Sequence, residues 1–241
     1  GTADVTADGP VERVKVSHLR KVIAGAMRTS KQVSAHVTHV DEADVTELAR
    51  AYRDLKPSIE ADGVKFSMLP FFLKAVVAAT QKFPMFNASV DEERGEIVLK
   101  RYHNIGLAVD TDQGLIVPVL KDVDRKDMVT LAGEVADLAD RARRRELGLD
   151  QLKGGGITVT NIGPLGGVFA TPIINQPELA IVGLHRIQER PVVVDGEIEV
   201  RDMMYLSVSF DHRWIDGADG ARFMTELVGL VSDPRRLLVR L

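Results

Sequence analysis

The chain has 241 residues, 45% apolar and 27% charged, enough to bury a sizeable core in one large domain or two small ones. With 31 basic against 35 acidic residues the net charge is -4, and aromatic side chains make up 5%; a nucleic-acid groove needs a basic surface and a stacking platform, so no nucleic-acid partner is expected. Cysteine is absent, which excludes disulfides, thiolate metal sites and a cysteine nucleophile and fits a reducing compartment.

No apolar run approaches the about 20 residues that a spanning helix requires. Even Phe71 to Val77 is broken by Lys74, so no membrane partner is expected. The first residue is glycine and no secretory apolar region follows it, so the sequence reads as a piece cut from a longer chain. Residues 1–10 are small, polar and aperiodic, like the end of a linker. Residues 1–12 are therefore taken as a linker remnant and residues 13–241 as one domain.

Ser17 is placed to cap a helix through Leu19, Ile23 and Met27, and Ala35 to Val40 reads as a strand. His36 and His39 lie three apart on that strand, on opposite faces, so no metal site is expected. Asp44 or Thr46 opens a second helix through Leu48 and Leu55 that Pro57 ends, and a third, strongly apolar helix runs from about Met68 to Lys82. Short strands follow at 88–90, 97–99, 105–109 and 115–119, then a helix over about 127–146. Strands at 157–160 and 180–187 and a hairpin about Asp195-Gly196 complete the set, with a last strand running to Phe210. Helices and strands are interspersed without regular βαβ units, which favours a mixed sheet packed against helices.

That last strand alternates Met204, Leu206, Val208 and Phe210 with Met203, Tyr205, Ser207 and Ser209, so one face belongs to the core and His212 falls at its end. Asp216 then precedes the apolar positions Phe223, Leu227, Leu230 and Val231, where an N-cap is needed. The glycine-rich segment Gly154 to Gly167 is not a phosphate loop, because it has no Gly-Lys-Ser/Thr ending and opens no helix. By itself Thr160 is a β-branched strand residue. The run Arg141-Ala142-Arg143-Arg144-Arg145 sits where cations complement a helix C-terminus, and a role for it in attracting an anionic substrate carries little weight. His185 and Arg186 are ambiguous in the same way.

Taken together, the segments resemble the catalytic domain of the dihydrolipoamide acyltransferases, the E2 cores of 2-oxo acid dehydrogenase complexes. The resemblance covers about residues 13–241. It rests on an ordered set: Leu19 to Ala24 with Met27 and Ser30, His36-Val37-Thr38, Asp41 to Leu48, and Phe83-Pro84 with Asn87 to Asp91. The set continues with Asn104-Ile105-Gly106, Gly114 to Val119, Thr160 to Gly163, and Asp211-His212-Arg213 with Asp216-Gly217. The His-x-x-x-Asp-Gly element alone is shared with chloramphenicol acetyltransferases and condensation domains.

The resemblance implies an α/β sandwich like chloramphenicol acetyltransferase, assembled as trimers with active sites between subunits. It also implies a cubic or icosahedral core, of twenty-four or sixty copies, built from those trimers. The implied reaction moves an acyl group from dihydrolipoamide, carried on a separate lipoyl domain, to coenzyme A. Upstream domains outside this chain would bind the E1 and E3 enzymes of the complex. His212 is the implied general base, Thr160 the oxyanion donor and Asp216 a further active-site acid. Thioester exchange suits these residues: a thiol of pKa about 8.5 gives its proton to a neutral imidazole of pKa about 6.5 as the sulfur attacks.

Positions implied for coenzyme A are Arg53, Ser67, Asp110, Thr160, Asn161, His185 and Ile187, with His185 departing from the glycine common there. Phe83 to Ser89 and His103 to Ala108 resemble the acetyl- and branched-chain-type members, with acetyl preferred. The cytoplasm of a bacterium is expected ahead of the mitochondrial matrix. The competing reading is a catalytically inactive scaffold core for partner enzymes, which the presence of His212, Thr160 and Asp216 opposes; a free-standing small-molecule acetyltransferase is a third. The apolar tail Leu237 to Leu241 is expected to insert into a neighbouring trimer.

Overall fold

The computed structural model describes residues 2–6, 8–112 and 114–240. Strands β1 (Thr2–Thr6) and β2 (Gly9–Arg13) form a two-stranded antiparallel ribbon, so the stretch read as aperiodic is paired. Gly9 takes φ 134°, a conformation open to glycine. Helix α1 (His18–Val33) follows, with Ser17 accepting a hydrogen bond from the Arg20 N–H at 3.2 Å as its cap.

Strand β3 (His36–Asp44) leads into α2 (Thr46–Ala61). Asp44 accepts from both the backbone N–H and the hydroxyl of Thr46. Pro57 lies inside α2 and does not end it. This end of the helix faces solvent, where water replaces the lost backbone bond, and the Ser58 hydroxyl donates to the Leu55 carbonyl at 2.8 Å. Leu55 is exposed, while Leu48 is buried and Tyr52 and Ile59 pack on the core.

Helix α3 (Leu69–Lys82) is buried from Pro70 to Thr80, the central helix that its nearly all-apolar sequence requires. A ribbon of β4 (Ala88–Asp91) and β5 (Glu96–Leu99) and the strands β6 (Ile105–Ala108) and β7 (Val119–Leu120) follow. The strand expected over 115–119 is mostly absent. Ile116 makes an isolated bridge to Val109, and pairing resumes at Val119. Helix α4 (Met128–Arg144) is capped by Asp127, which accepts from the Thr130 N–H at 2.7 Å. Then come β8 (Ile157–Asn161), β9 (Ala180–Leu184), β10 (Gln188–Val194), β11 (Glu197–Asp211), α5 (Gly217–Ser232) and α6 (Arg235–Arg240).

The 15-residue β11 is the spine of a seven-stranded mixed sheet. Along one side it pairs with β10 and then β9, and along the other with β3, all antiparallel. Beyond β9 the order continues β8-β6-β7, with β8 parallel to both β9 and β6. Asp195 and Gly196, at φ 50° and 89°, make the tight turn between β10 and β11.

The two faces of the sheet differ in chemistry. Leu206, Val208 and Phe210 face α3 and α5 in the core, where Phe86 stacks on Phe223 at 4.1 Å and meets Phe210 edge-on at 6.0 Å. Each of these rings is fully buried, worth about 1.5–3 kcal/mol. Gly220 is what lets α5 lie this close, since a Cβ there would stand 2.5 Å from the Phe210 ring. The opposite face carries Thr38, Thr158, Ser207 and Ser209, paired through short polar contacts such as Thr38 to Ser209 at 2.8 Å.

Candidate active site

The sheet register places Thr160 level with Gly183 and Ser207, on the polar face. His212 lies just past Asp211, five residues further along β11 and two strands away from Thr160. At about 3.3 Å per residue and about 4.8 Å per strand, their Cα atoms are about 19 Å apart. No side chain spans that distance, so within one chain the two residues stand at separate candidate half-sites.

The His212 half-site is an exposed corner. The His212 backbone N–H donates to the Ala35 carbonyl at 2.9 Å, and its ring lies 6.0 Å from that of Phe210. Its Nε2 is 3.6 Å from where a Cβ on Gly217 would stand, over the first turn of α5. Asp216 occupies the N-cap backbone position of that helix, but its side chain makes no capping bond. The exposed carboxylate is therefore not consumed by the cap.

Beneath the corner Asp211 is fully buried. Burial alone would raise its carboxyl, but Arg213, at 2.8 Å through Nη2, and the N–H groups of Arg213 and Ala35 hold it below the usual range. Arg213 also reaches Glu92 at 2.9 Å, which ties the corner to the β4–β5 ribbon. His36 accepts from the Ile174 N–H at Nε2 and is kept toward its neutral form, chiefly by burial.

The Thr160 half-site is a cavity of about 430 Å³ at the ends of β6 and β8, lined by Asp110, Leu115, Thr158, Thr160, Asn161, Leu165 and Asn175 among others. It continues into a second space of about 260 Å³ through the shared walls Ala108, Asp110, Asn161 and Leu165. That space in turn meets a third of about 170 Å³ through Val135, Ala139 and Arg143. The third holds Ser67, Lys65 and Asp140. Sharing lining residues at each junction, the three spaces succeed one another as a segmented groove from Thr160, around the strand ends, toward the C-terminal half of α4. Its mouth near Thr160 carries exposed Leu115 and Leu165, the latter 75% accessible, with exposed Val168 and Phe169 further along the same loop.

Of the residues implied for coenzyme A, the groove gathers Ser67, Asp110, Thr160 and Asn161. Arg53, His185 and Ile187 are not among the residues lining it. Arg53 is exposed on α2, 3.9 Å from Asp202. His185 is buried, its Nε2 2.9 Å from the Ser207 hydroxyl, and burial lowers its pKa. Ile187 packs on the core.

Sequence reasoning missed Glu178. It is 3% exposed behind the Thr160 cavity and accepts from the Thr158 hydroxyl at 2.6 Å. Burial pushes its carboxyl up to about 7, against the pull of Thr158, Lys100 and Asn175. An acid directly preceding the apolar run Leu179 to Leu184 was the signal available.

Residues 8–239 match the model of the family described as 2-oxoacid dehydrogenases acyltransferase (catalytic domain). The acetyltransferase component of the pyruvate dehydrogenase complex of Bacillus subtilis is 44% identical over 95% of the chain, and that of Staphylococcus aureus 45% over 98%. The chain spans 52% and 56% of those relatives, about half their length. A solved dihydrolipoamide acetyltransferase of Azotobacter vinelandii superposes with TM-score 0.92 at 40% identity, covering 95% of each chain. That study concerns a serine, a histidine and an asparagine in catalysis, the histidine 52 positions after the serine and 4 before the asparagine. Thr160, His212 and Asp216 have the same spacing. The cubic core of a pyruvate dehydrogenase multienzyme complex also superposes at 0.92, with 39% identity over 95% of each chain. Chloramphenicol acetyltransferase, at TM-score 0.54 and 14% identity, shares the fold.

Proposed function

From the premise that the chain belongs to the catalytic-domain family of the 2-oxoacid dehydrogenase acyltransferases, we propose that it transfers an acetyl group from a dihydrolipoyl thioester to coenzyme A. The site is completed between two copies. The observation that carries this reading is the separation of His212 from Thr160, together with the apolar rim of Leu115 and Leu165 around the Thr160 cavity. A second copy that covers the rim with its His212 corner satisfies both.

In this site the imidazole of His212 takes the proton of the coenzyme A thiol as the sulfur attacks the acyl carbonyl carbon. The carbonyl oxygen becomes an oxyanion, and the Thr160 hydroxyl of the facing copy donates to it. Collapse expels the dihydrolipoyl sulfur, which recovers the proton from the imidazolium. Asp216, with its carboxylate free of the cap, orients the corner.

Acetyl is preferred to branched-chain acyl on the naming of the relatives. The lipoyl group and the contacts to E1 and E3 are assigned to domains outside these 241 residues. Assembly of trimers into a cubic core is supported by the likeness to such a core, and Leu238 and Val239, 81% and 85% exposed on α6, are the side chains available for contacts between trimers. Leu237, expected to dock outward, is instead 4% exposed and belongs to the chain's own core. Leu241 lies outside the described residues.

Co-assembly of His212→Ala with Thr160→Val tests the shared site. Each variant alone is inactive, and random equal mixing restores about a quarter of the wild-type sites, those in which an intact Thr160 meets an intact His212. A mixture as inactive as its parents refutes a site shared between copies.

A further inference from the structure

We propose that His36 is a positioning residue for acyl transfer: by accepting from the Ile174 N–H it fixes Pro172, Ile173 and Asn175 as a wall of the Thr160 cavity. This role rests on the acyltransferase reading and belongs to a residue that acts through others. The wall has no regular structure of its own. Residues 171–175 belong to no helix, strand or turn, yet Ile174 is fully buried. Buried backbone groups need partners, and here side chains distant in sequence supply both. The Ser30 hydroxyl of α1 donates to the Ile174 carbonyl at 2.6 Å, and Nε2 of His36 on β3 accepts from the Ile174 N–H at 3.1 Å. Next to this pin, the Asn175 amide donates to the Thr158 hydroxyl oxygen at 3.4 Å and the Gln176 amide donates to the Ser34 hydroxyl.

Pro172, Ile173 and Asn175 line the same space as Thr158 and Thr160, and so does Met27, one turn before Ser30 on α1. Holding Ile174 therefore sets the wall residues on either side of it. At its other end His36 is level with Asp211 on β11, and the preceding Ala35 accepts from the His212 N–H through its carbonyl. One imidazole thus joins the His212 corner to the cavity wall of the same chain. Its partners also fix its proton. The Ser34 carbonyl can only accept, so Nδ1, 3.1 Å away, carries the hydrogen; the Ile174 N–H can only donate, so Nε2 is bare. A second proton would set two donors face to face and open the pin. Burial is the largest influence on the ring and disfavours that proton; the Ser34 carbonyl favours it, Lys31 on α1 opposes it, and Asp211, already held by Arg213, favours it. His212 is the next residue along β11, and residues 171–177 carry no titratable group before Glu178. The net effect lowers the pKa, so the wall stays closed until the pH falls below the ordinary histidine range.

The test replaces His36 in the assembled protein and reads amide exchange alongside turnover. His36→Ala leaves the buried Ile174 N–H unpaired, so its exchange protection should fall roughly 10- to 100-fold while the amides of β8 and β9 keep theirs. Turnover should fall by a similar factor, since a reacting site tolerates little displacement, with KM for coenzyme A nearly unchanged. His36→Gln keeps an acceptor for Ile174 and has no proton to gain. Its turnover at pH 8 should return close to the wild-type value, and its acid limb should be less steep than that of the wild type by one proton. Unchanged protection of Ile174 in His36→Ala overturns the assignment. So does a loss spread over β8 and β9, which marks a structural role. If the alanine variant does not assemble, His36→Gln decides alone, and an acid limb parallel to the wild type's refutes the role. A wild-type protein that transfers no acyl group to coenzyme A overturns the acyltransferase reading, while exchange at Ile174 still decides whether His36 holds the wall.

Discussion

Replacing Glu178 by glutamine should change the pH dependence of stability in a direction and size that follow from its burial. In the folded protein its carboxyl titrates at about 7, against 4.5 for the free group, first because burial disfavours the anion. Between those values the folded state holds a proton that the unfolded chain has released, so stability falls as pH rises through that window and is constant above it. A shift of that size corresponds to about 3 kcal/mol. Glutamine has no proton to lose and can still accept from the Thr158 hydroxyl. Lys100, whose ammonium donates to the Gly155 carbonyl at 2.9 Å and is itself pushed down by burial, keeps that bond. The histidines His36, His103 and His185, all lowered mainly by burial, titrate near the same window with the opposite sign and are common to both proteins. They cancel in the difference. Urea midpoints at pH 5 and pH 8, at one protein concentration, give the readout. Relative to the variant, the wild type should lose on the order of 1 M in midpoint between the two, for a slope near the upper end of the usual range. Parallel profiles would show that the Glu178 carboxyl is not carrying a proton in the fold.

Four further outcomes follow from the same geometry. His212→Ala should lower turnover roughly 10²- to 10⁴-fold in acyl transfer to coenzyme A with particle size unchanged by light scattering; near-wild-type transfer removes it from the mechanism. Thr160→Val should raise the barrier by about 2.7–4 kcal/mol and leave coenzyme A affinity nearly intact, whereas Thr160→Ser should be mild; a loss in affinity alone assigns Thr160 another role. Arg213→Met strips the buried Asp211 of its cation and should cost about 3 kcal/mol or more in chemical denaturation. Gly220→Ala places a methyl against the Phe210 ring and should cost about 1–3 kcal/mol, so an unchanged midpoint would mean that α5 moves aside freely.

Residues whose role is set by local pattern were legible in the sequence. The alternation from Met203 to Phe210 announced β11, and the Asp-Gly pair announced the hairpin turn. Pro57 misled because a proline ends a helix only where nothing compensates for its missing donor, and the exposed end of α2 supplies solvent. Leu237 misled in the opposite direction, since whether a terminal leucine faces its own core depends on packing between α6 and α3 that no local pattern encodes. The groove was half legible: resemblance named Ser67, Asp110 and Asn161, but the facing of Arg143 depends on how α4 turns against β6 and β8. Glu178 left only the apolar run that follows it as a local signal, because its partners Thr158 and Lys100 are distant in sequence.

If His212 and Thr160 act as proposed, their placement at opposite ends of one sheet makes catalysis a property of contacts between chains. A newly made subunit would then be inert, and acyl groups could not be discharged by chains that have not yet found neighbours. Rate then follows mass action. Above the dissociation constant of the assembly it is proportional to protein, and on dilution below it specific activity falls, with the order in concentration approaching the number of chains in the smallest closed ring. Synthesis in excess of assembly would on that basis add no stray thioester exchange.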